Sequence, residues 1–510
     1  MFDAAPIFEG LLLLADIKVI AVLILGVFFG IITGAIPGFS TPLAISIMLP
    51  LTYPMSPVLG IAFLTAIYAG GNFGSSISSI LLNIPGSPQA IVTGFDGNPM
   101  TKQGKANEAL GIAVASSATG NLIGAIFLIL VMPLIVKVAL MFGPPELFLV
   151  GVLGLTVIAA LHASFMKAVI AGGFGVLLGT VGMTSTGAIR GTYGYFELMD
   201  GIPVIPALIG LIGFSELFYM VQQRYLAGGE QTHAQGGQRR KKLWRGFVSV
   251  FSHPLTVFKS SSIGVIIGAL PGAGATVASV VSYNEAKRSS KNKAMFGKGA
   301  EEGLISAESA NNASEGGALA TMLSLGIPGG LATAVMIGAF MLQGLIPGPR
   351  LFIDHQGLIY GIMFSQIVAS VILMGAGLLV SFYAARVINI PTIVLIPLIA
   401  VFSVAGTYAI SLQMFDVKVM LVFAALGIVM RKYDYPLIAV ILGIILGPIL
   451  DQQLLRTFQG SGQLSLDIFL GRPVSVILLA IIVFCTVPIL LKVYRSLRAG
   501  LPSSDSPGAS

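Results

Sequence analysis

Residues 110–136 read L-G-I-A-V-A-S-S-A-T-G-N-L-I-G-A-I-F-L-I-L-V-M-P-L-I-V, and this stretch decides the class of the fold because it contains no charged side chain. About 20 apolar residues are enough for a helix to cross the hydrocarbon layer of a membrane. Further runs without charge occupy 361–385, 387–415 and 474–491. The sequence therefore predicts several helices that span a membrane.

The composition agrees with that prediction. Hydrophobic residues make up 55% of the 510 positions and charged residues 10%, whereas an ordinary soluble domain has roughly 25% charged residues. This excludes a soluble globular enzyme, a disordered protein and a nucleic-acid-binding protein. We attribute the net charge of +7 to Lys and Arg in cytoplasmic loops. One cysteine, Cys485, and four scattered histidines offer no disulfide within the chain and no ligand-spaced metal cluster.

The chain repeats itself. G-A-I-P-G at 34–38 matches G-A-L-P-G at 268–272 with an offset of 234 (268 − 34), and I-P-G at 84–86 matches 327–329 with an offset of 243 (327 − 84). The nine extra residues fall in the basic loop 285–302. With the polar segments as boundaries, we predict a first membrane repeat (1–222), a basic cytoplasmic linker (223–250), a second membrane repeat (251–450), and a C-terminal part (451–510) made of an outer amphipathic stretch, an extra helix and a cytoplasmic tail.

Charge then orients the two repeats. Basic loops flank 268–272 on both sides, so the excess of positive charge on the cytoplasmic side predicts a re-entrant hairpin with Pro271 and Gly272 at its tip. The first hairpin, with Pro37 and Gly38 at its tip, would enter from the outside. Five crossings per half would invert one repeat relative to the other. We expect an all-α polytopic membrane protein with two inverted repeats, interrupted helices and about 11–12 transmembrane segments. As an alternative, the first arm, 11–36, is long enough to cross fully.

Inverted repeats with interrupted helices are typical of secondary transporters, which bind substrate where broken helices expose backbone polar groups. Uncharged hydrogen-bonding residues beside the breaks suit the oxygens of a carboxylate and a hard cation such as Na⁺. Close packing of small residues is the alternative role for the serines and glycines. The candidate substrate-binding residues are Asn72, Ser75, Ser76, Asn83, Pro85, Gly86, Asn311, Asn312, Ser314, Pro328 and Gly329.

Two acidic residues lie within an apolar segment of the second half. An acidic residue inside a membrane segment is a functional candidate by default. Glu308 and Glu315 are therefore candidates for ion coupling, either by taking a proton or by facing Na⁺ near the same breaks. The alternative for Glu308 is a position near the cytoplasmic interface, where its side chain only reaches toward water. We expect no cofactor other than the coupling ion, Na⁺ or H⁺.

Several motifs together resemble a known family. They are G-I-I-T-G-A-I-P-G (30–38), G-N-F-G-S-S-I-S-S-I-L-L-N-I-P-G-S-P (71–88), T-G-F-D-G (93–97), G-A-L-P-G-A-G-A (268–275), A-E-S-A-N-N-A-S-E-G-G (307–317) and L-G-I-P-G (325–329). Over nearly its whole length the chain resembles the large membrane subunit of the tripartite tricarboxylate transporters.

The resemblance implies a multi-pass importer of the bacterial inner membrane, with a periplasmic solute-binding protein and a small four-helix membrane subunit as partners. Its substrate would be a citrate-like carboxylate or another small organic anion, taken up with an ion gradient. Two other classes stay open from the residues alone. One is a membrane-embedded enzyme acting on lipid-like substrates, and the other is an ion channel. The segment G-x-x-x-x-G-K-[ST] does not occur, so we expect no ATP-driven step in this chain.

Overall fold

A computed structural model describes residues 4–162, 164–184, 186–218, 236–384, 392–461 and 467–498. These residues are almost entirely helical. In the described part of the chain the strands are β1 (Gly182–Met183) and β2 (Ile189–Arg190), which pair antiparallel in one short hairpin. The predicted all-α polytopic membrane class is confirmed.

The described part of the first half contains the helices α1 to α9, and α9 continues as a π-helix over Ile209–Phe214. They are α1 (Ala4–Leu13), α2 (Ile17–Gly34), α3 (Thr41–Met48), α4 (Pro57–Leu82), α5 (Ile91–Lys102), α6 (Ala106–Ala139), α7 (Pro144–Leu161), α8 (Phe165–Gly179) and α9 (Val204–Leu208). Short 3-10 turns lie at Pro50–Thr52, Pro88–Ala90 and Phe196–Leu198.

The second half contributes the remaining described helices. They are α10 (Gly236–Ser249), α11 (Pro254–Gly268), α12 (Gly274–Ser289), α13 (Glu301–Leu325), α14 (Leu331–Leu342), α15 (Pro349–Asp354), α16 (Gln356–Phe382), α17 (Thr392–Ser411), α18 (Met414–Lys432), α19 (Leu437–Ser461), α20 (Asp467–Leu470) and α21 (Pro473–Arg498). Two 3-10 turns, Val250–Ser252 and Lys293–Met295, separate some of them.

Among the described residues, six helices are long and apolar enough to cross a membrane, or seven if α10 and α11 are counted as one bent span. The six are α2, α4, α6, α7, α16 and α19. This is fewer than the predicted 11–12 segments, whose number stays a prediction for the whole chain. Other apolar stretches, such as Phe165–Gly179 and Leu331–Leu342, form helices of only 10–17 residues.

The two halves make the same contacts at positions related by the offsets 234 and 243, which we call equivalent positions. A Cβ atom added to Gly30 would lie 2.4 Å from the Ile67 carbonyl oxygen, and one added to the equivalent Gly264 would lie 2.4 Å from the carbonyl oxygen of Ala310, the equivalent of Ile67. Both pairs require glycine because two helix backbones touch there. Two further pairs agree in the same way. Gly34 lies against the Gly71 carbonyl oxygen, and its equivalent Gly268 lies against that of Ser314. Gly74 lies against the Ile31 carbonyl oxygen, and its equivalent Gly317 lies against that of Val265.

The second candidate hairpin consists of α11 and α12. Helix α11 has 15 residues, so it is about 22 Å long and does not cross a hydrocarbon layer of about 30 Å. Gly272 occupies the turn with φ +76°, and Gly38 occupies the turn between α2 and α3 with φ +78°. Helix α2, by contrast, has 18 residues and meets the criteria for a full span. Only the second half therefore has two short arms.

A cluster of charges joins the arms of this hairpin at its open end. On α12, Glu285 accepts hydrogen bonds from Arg288 Nε at 2.7 Å and from Lys259 Nζ of α11 at 2.5 Å. These hydrogen bonds, that from Arg288 first, lower the pKa of Glu285 to about 2. A lowered pKa means that the link is fully present above the ordinary glutamate range and is lost only as the pH falls toward 2.

One predicted domain boundary falls inside an α-helix, and part of the predicted linker is itself helical. The C-terminal part of the basic linker, 236–249, forms α10, which packs on α6 so closely that a Cβ on Gly246 would lie 2.0 Å from the Glu108 carbonyl oxygen. The boundary at 450 lies within α19, which continues to Ser461. Residues 219–235 and 462–466 lie outside the described part, so the rest of the linker and of the outer stretch stays a prediction.

Candidate functional site

Helices α4 and α13 cross at the centre of the candidate site. Asn312 Nδ2 donates to the Ala69 carbonyl oxygen at 3.2 Å, Asn311 Nδ2 donates to the Asn72 carbonyl oxygen at 3.5 Å, and Ser76 Oγ donates to Glu308 at 2.6 Å. Residue numbers rise along α4 while they fall along α13, so the two helices run antiparallel. Since α4 and α13 occupy equivalent positions in the two repeats, this crossing is what an inverted repeat requires, and it favours that prediction.

Four polar residues form one stripe along α13. Glu308, Asn311, Asn312 and Glu315 are spaced i, i+3, i+4 and i+7, so they share a face of the helix. All four are buried, each with at most 1% of its surface exposed. Glycines bring α6 and α11 close to α13, since a Cβ added to Gly120 or to Gly264 would lie 2.4 Å from the carbonyl oxygen of Ser309 or of Ala310. Burial of polar groups without partners is costly, which makes the stripe a candidate site.

Glu308 has three hydroxyl partners from three different helices. Ser76 Oγ on α4 donates to Oε1, Thr93 Oγ1 on α5 donates to the same atom, and Ser117 Oγ on α6 donates to Oε2 at 2.6 Å. The side chain is fully buried, so it does not reach toward water at the interface as one alternative held. Three hydroxyl donors satisfy this carboxylate within the protein.

Glu315 has the opposite surroundings. Neither of its carboxylate oxygens has a hydrogen-bond partner in the part of the chain that the structure describes. Three nearby amide atoms share that condition among the described residues: Asn311 Oδ1, Asn312 Oδ1 and Asn72 Nδ2. Asn72 Oδ1 is occupied, since Gln89 Nε2 donates to it at 3.1 Å. The crossing therefore presents four unpaired oxygens and one unpaired N–H donor.

The other candidate residues make hydrogen bonds within their own helices or lie at the helix ends. Ser75 and Ser314 donate to carbonyl oxygens of their own helices, at 2.8 Å to Asn72 and 2.6 Å to Asn311, which suits a packing role. Asn83 ends α4 in the left-handed conformation with φ +59°, and Gly326 ends α13 in the same way with φ +73°. Both helices thus end immediately before their I-P-G segment.

The I-P-G segments lie against the helix pairs of their own repeats. The Gly86 N–H donates to the Ser75 carbonyl oxygen at 3.2 Å, and the Gly329 carbonyl oxygen accepts from the Gly274 N–H at 3.1 Å. Pro85 lines a cavity of about 390 Å³ together with Ser79, Asn83, Asn98 and Lys102. Pro328 lies in the matching segment of the second half.

Four polar partners in this region were not among the sequence candidates. Thr93, Ser117 and Gln89 are hydroxyl or amide residues in apolar helices or turns, and nothing in their spacing sets them apart from packing residues. Asp96 carries a clearer signal, since it is an acidic residue in the T-G-F-D-G motif (93–97) of a chain with few charges.

Asp96 joins the first repeat to the start of α13. Its Oδ1 atom accepts from the backbone N–H groups of Gly297, Gly299 and Ala300 at 2.8–2.9 Å, and its Oδ2 atom accepts from the Tyr283 hydroxyl at 2.9 Å. The carboxylate therefore satisfies N–H groups just before a helix N-terminus, where negative charge is favourable. This contact holds the helix that carries the polar stripe.

In the described part of the chain, no group of three or more His, Cys, Asp or Glu side chains is arranged to hold a metal ion. The donors that the crossing does offer are carboxylate and amide oxygens. Oxygen ligands of this type suit hard cations rather than transition metals.

A family model described as the tripartite tricarboxylate transporter TctA family matches residues 20–442. An uncharacterised 52.8 kDa protein in the TAR-I ttuC' 3' region of Agrobacterium vitis is 35% identical over 475 residues, which cover 93% of this chain and 93% of that protein. An uncharacterised protein in the TAR-II ttuC' 3' region of the same organism is 35% identical over 235 residues, covering 46% of this chain and 97% of that protein. No solved structure matches the chain. The chain is a multi-pass membrane protein that belongs to the tripartite tricarboxylate transporter TctA family.

Proposed function

We propose that the chain is the membrane permease of a secondary importer that moves tricarboxylates or related small organic anions with an ion gradient. The observation that carries this proposal is the set of unpaired polar atoms buried where α4 and α13 cross. Membership of the TctA family supports the transport role and the substrate class.

The anion would bind beside Asn72. Its Nδ2 atom is a buried donor that lies near the Tyr68 hydroxyl without forming a hydrogen bond of good geometry to any described residue, and it lies where backbone polar groups of two repeats meet. A carboxylate oxygen that accepts this N–H replaces a lost hydrogen bond with a charge-assisted one, which is stronger than its neutral counterpart. Asn83, Pro85 and Lys102 line a separate cavity at the end of α4, where the Lys102 ammonium would favour the approach of an anion.

The coupling cation would bind at Glu315. Its two oxygens, with Asn311 Oδ1 and Asn312 Oδ1, are the oxygen ligands that Na⁺ would need, whereas a proton needs the carboxylate alone. Glu308 is the weaker candidate because Ser76, Thr93 and Ser117 already satisfy it. Bringing an anion and a cation to neighbouring positions on one helix crossing gives a direct reason for their coupling.

The proposed partners are a periplasmic solute-binding protein and a small four-helix membrane subunit, in a bacterial inner membrane. The family name itself, tripartite, supports three components. A membrane-embedded enzyme and an ion channel are the competing classes, and the transporter family favours neither of them.

The test is uptake of labelled carboxylates, citrate among them, by proteoliposomes containing this chain with its small subunit and binding protein. We expect accumulation that requires an inward Na⁺ or H⁺ gradient. Flux that equilibrates without any gradient would favour a channel, and chemical conversion of the substrate would favour an enzyme. Failure to accumulate any organic anion under every gradient would reject the proposal.

A further inference from the structure

Helix α10 lies nearly in the plane of the membrane. It meets α11 at an angle of 79°. Helix α11 runs alongside α13, since a Cβ at Gly264 or Gly268 would touch the carbonyl oxygen of Ala310 or Ser314 in turn. Helix α13 in turn runs antiparallel to α4, which meets the criteria for a membrane span. A helix at 79° to this set is therefore close to parallel with the bilayer surface.

The depth of α10 is fixed by its contact with the beginning of α6. Gly246 packs against the Glu108 carbonyl group, and Leu243 packs against Gly111. Lys242 Nζ donates to the Gly104 carbonyl oxygen at 3.5 Å, in the short turn that precedes α6. Because α6 is a candidate span and α10 packs on its first residues, α10 lies on the side of the membrane where that span begins.

The outer face of α10 combines exposed aromatic and aliphatic side chains with basic ones. Trp244 is 57% exposed, Val248 46% and Phe251 55% in the turn that follows. Arg240, Lys241 and Arg245 are exposed between them. The indole of Trp244 is held in place by stacking on Phe247, with ring centroids 5.3 Å apart. A helix of this kind, basic and partly apolar on one exposed face, is typical of attachment to a membrane interface.

We propose that the outer face of α10 is a binding site for the headgroups of anionic phospholipids, with Arg240, Lys241 and Arg245 contacting phosphate and Trp244, Val248 and Phe251 lying among the upper acyl chains. The positive charge of this face indicates an anionic lipid as the ligand, since basic residues on an interfacial helix attract anionic lipids. The bound lipid would hold α10 against α6 and fix the start of the α11–α12 hairpin. This role is separate from substrate binding and does not depend on the proposed transport activity.

The chain contains a single tryptophan, which makes its fluorescence a direct probe of this surface. Proteoliposomes would be prepared with phosphatidylglycerol or phosphatidylcholine whose acyl chains are brominated near the headgroup, and quenching of Trp244 would be measured at equal mole fractions. We expect a preference for phosphatidylglycerol of roughly fivefold, the contribution of one basic residue close to an anionic surface. The preference should fall with added salt.

The variant Arg240→Gln/Lys241→Gln/Arg245→Gln should lose the preference and keep its quenching by brominated phosphatidylcholine, which also shows that Trp244 still lies at the interface. Lys291→Gln/Lys293→Gln/Lys298→Gln removes three exposed charges from the α12–α13 loop and should keep the preference. Arg240→Lys/Arg245→Lys should keep it as well. Equal quenching of the unmodified protein by both lipids, or quenching by neither, would overturn the proposal.

Discussion

At the scale of single residues, the two buried glutamates on α13 differ in their partners more than in their burial. Glu308 accepts three hydroxyl hydrogen bonds, whereas Glu315 has no partner in the described part of the chain. A carboxylate that is satisfied by the protein contributes to folding, and one that is not satisfied is available to a ligand. The same helix therefore carries one glutamate with a structural role and one with the proposed coupling role.

Glu308→Gln and Glu315→Gln should accordingly fail in different assays. Glu308→Gln weakens hydrogen bonds to a charged group, which contribute about 1.5–3 kcal/mol, so thermal unfolding of the purified protein should begin at a lower temperature. Glu315→Gln should unfold like the unmodified protein but lose stimulation of uptake by the ion gradient. Glu301→Gln, at the exposed beginning of α13, is the control for both assays. Exchange of the two phenotypes would reverse the assignment.

Asn72 is the residue whose substitution should affect the substrate. Asn72→Asp replaces the unpaired N–H donor with a negative oxygen, so the apparent affinity for a carboxylate should fall at least tenfold, equivalent to about 1.4 kcal/mol. Asn72→Ala removes the donor without adding repulsion and should lose less. Concentration dependence of uptake gives both values. Wild-type affinity in both variants would assign Asn72 to packing.

For Asn312 the structure favours contact with the cation over contact with the substrate. From the sequence it was grouped with the residues that face the substrate. Its Nδ2 atom, however, is used by the Ala69 carbonyl group, and its free atom is Oδ1. Asn312→Ala should therefore raise the cation concentration needed for half-maximal uptake more than it changes the carboxylate concentration, as a titration of each at saturating levels of the other will measure.

At the scale of secondary-structure elements, the turn at the end of α11 is tightly constrained. Gly272 has φ +76°, and a Cβ added there would lie 1.8 Å from Ile158 Cγ1 on α7. Both the backbone conformation and the space require glycine. The turn of the α11–α12 hairpin is therefore packed tightly against α7.

Gly272→Val should abolish uptake while the protein still reaches the membrane. Gly272→Ala combined with Ile158→Ala removes the steric conflict and leaves only the cost of a positive φ, about 1–2 kcal/mol, so uptake should partly return. Gly375→Ala, where a Cβ meets nothing within 4 Å, is the matched control. Uptake and membrane content are measured on the same cells. Normal uptake by Gly272→Val would remove this turn from the mechanism.

At the scale of the whole molecule, the predicted topology has both basic loops around the α11–α12 hairpin on the cytoplasmic side. Single cysteines at positions 236 and 292, in a Cys485→Ser background, should both resist a membrane-impermeant thiol reagent in whole cells. Both should react after the membrane is permeabilised, which is the control for accessibility. Labelling of one position and not the other in intact cells would replace the hairpin with a full crossing.

Features that depend on residues close together in the sequence could be predicted from it, and features that depend on distant residues could not. The apolar runs, the repeated P-G motifs and the polar residues of α13 were predictable because each is visible within one segment. The partners of Glu308 were not, because Ser76 and Ser117 lie 232 and 191 positions away on helices whose relative rotation no periodicity defines. The lengths of some helices were not predictable for a related reason, since the breaks that keep Phe165–Gly179 and Leu331–Leu342 short depend on how neighbouring helices pack.

The crossing of α4 and α13 has a consequence for how such a chain arose. Ala69 and Asn312 touch each other and are equivalent positions (312 − 69 = 243), and the same offset relates Asn72 to Glu315 (315 − 72 = 243). Two identical halves assembled as a homodimer would repeat the same side chain on both sides of this contact. Gene duplication and fusion allow the two copies to diverge, so that an amide stands on one side and a carboxylate on the other. A fused chain can thus place an uncharged side chain and a charged one at two symmetry-related positions of one site, whereas two identical chains cannot.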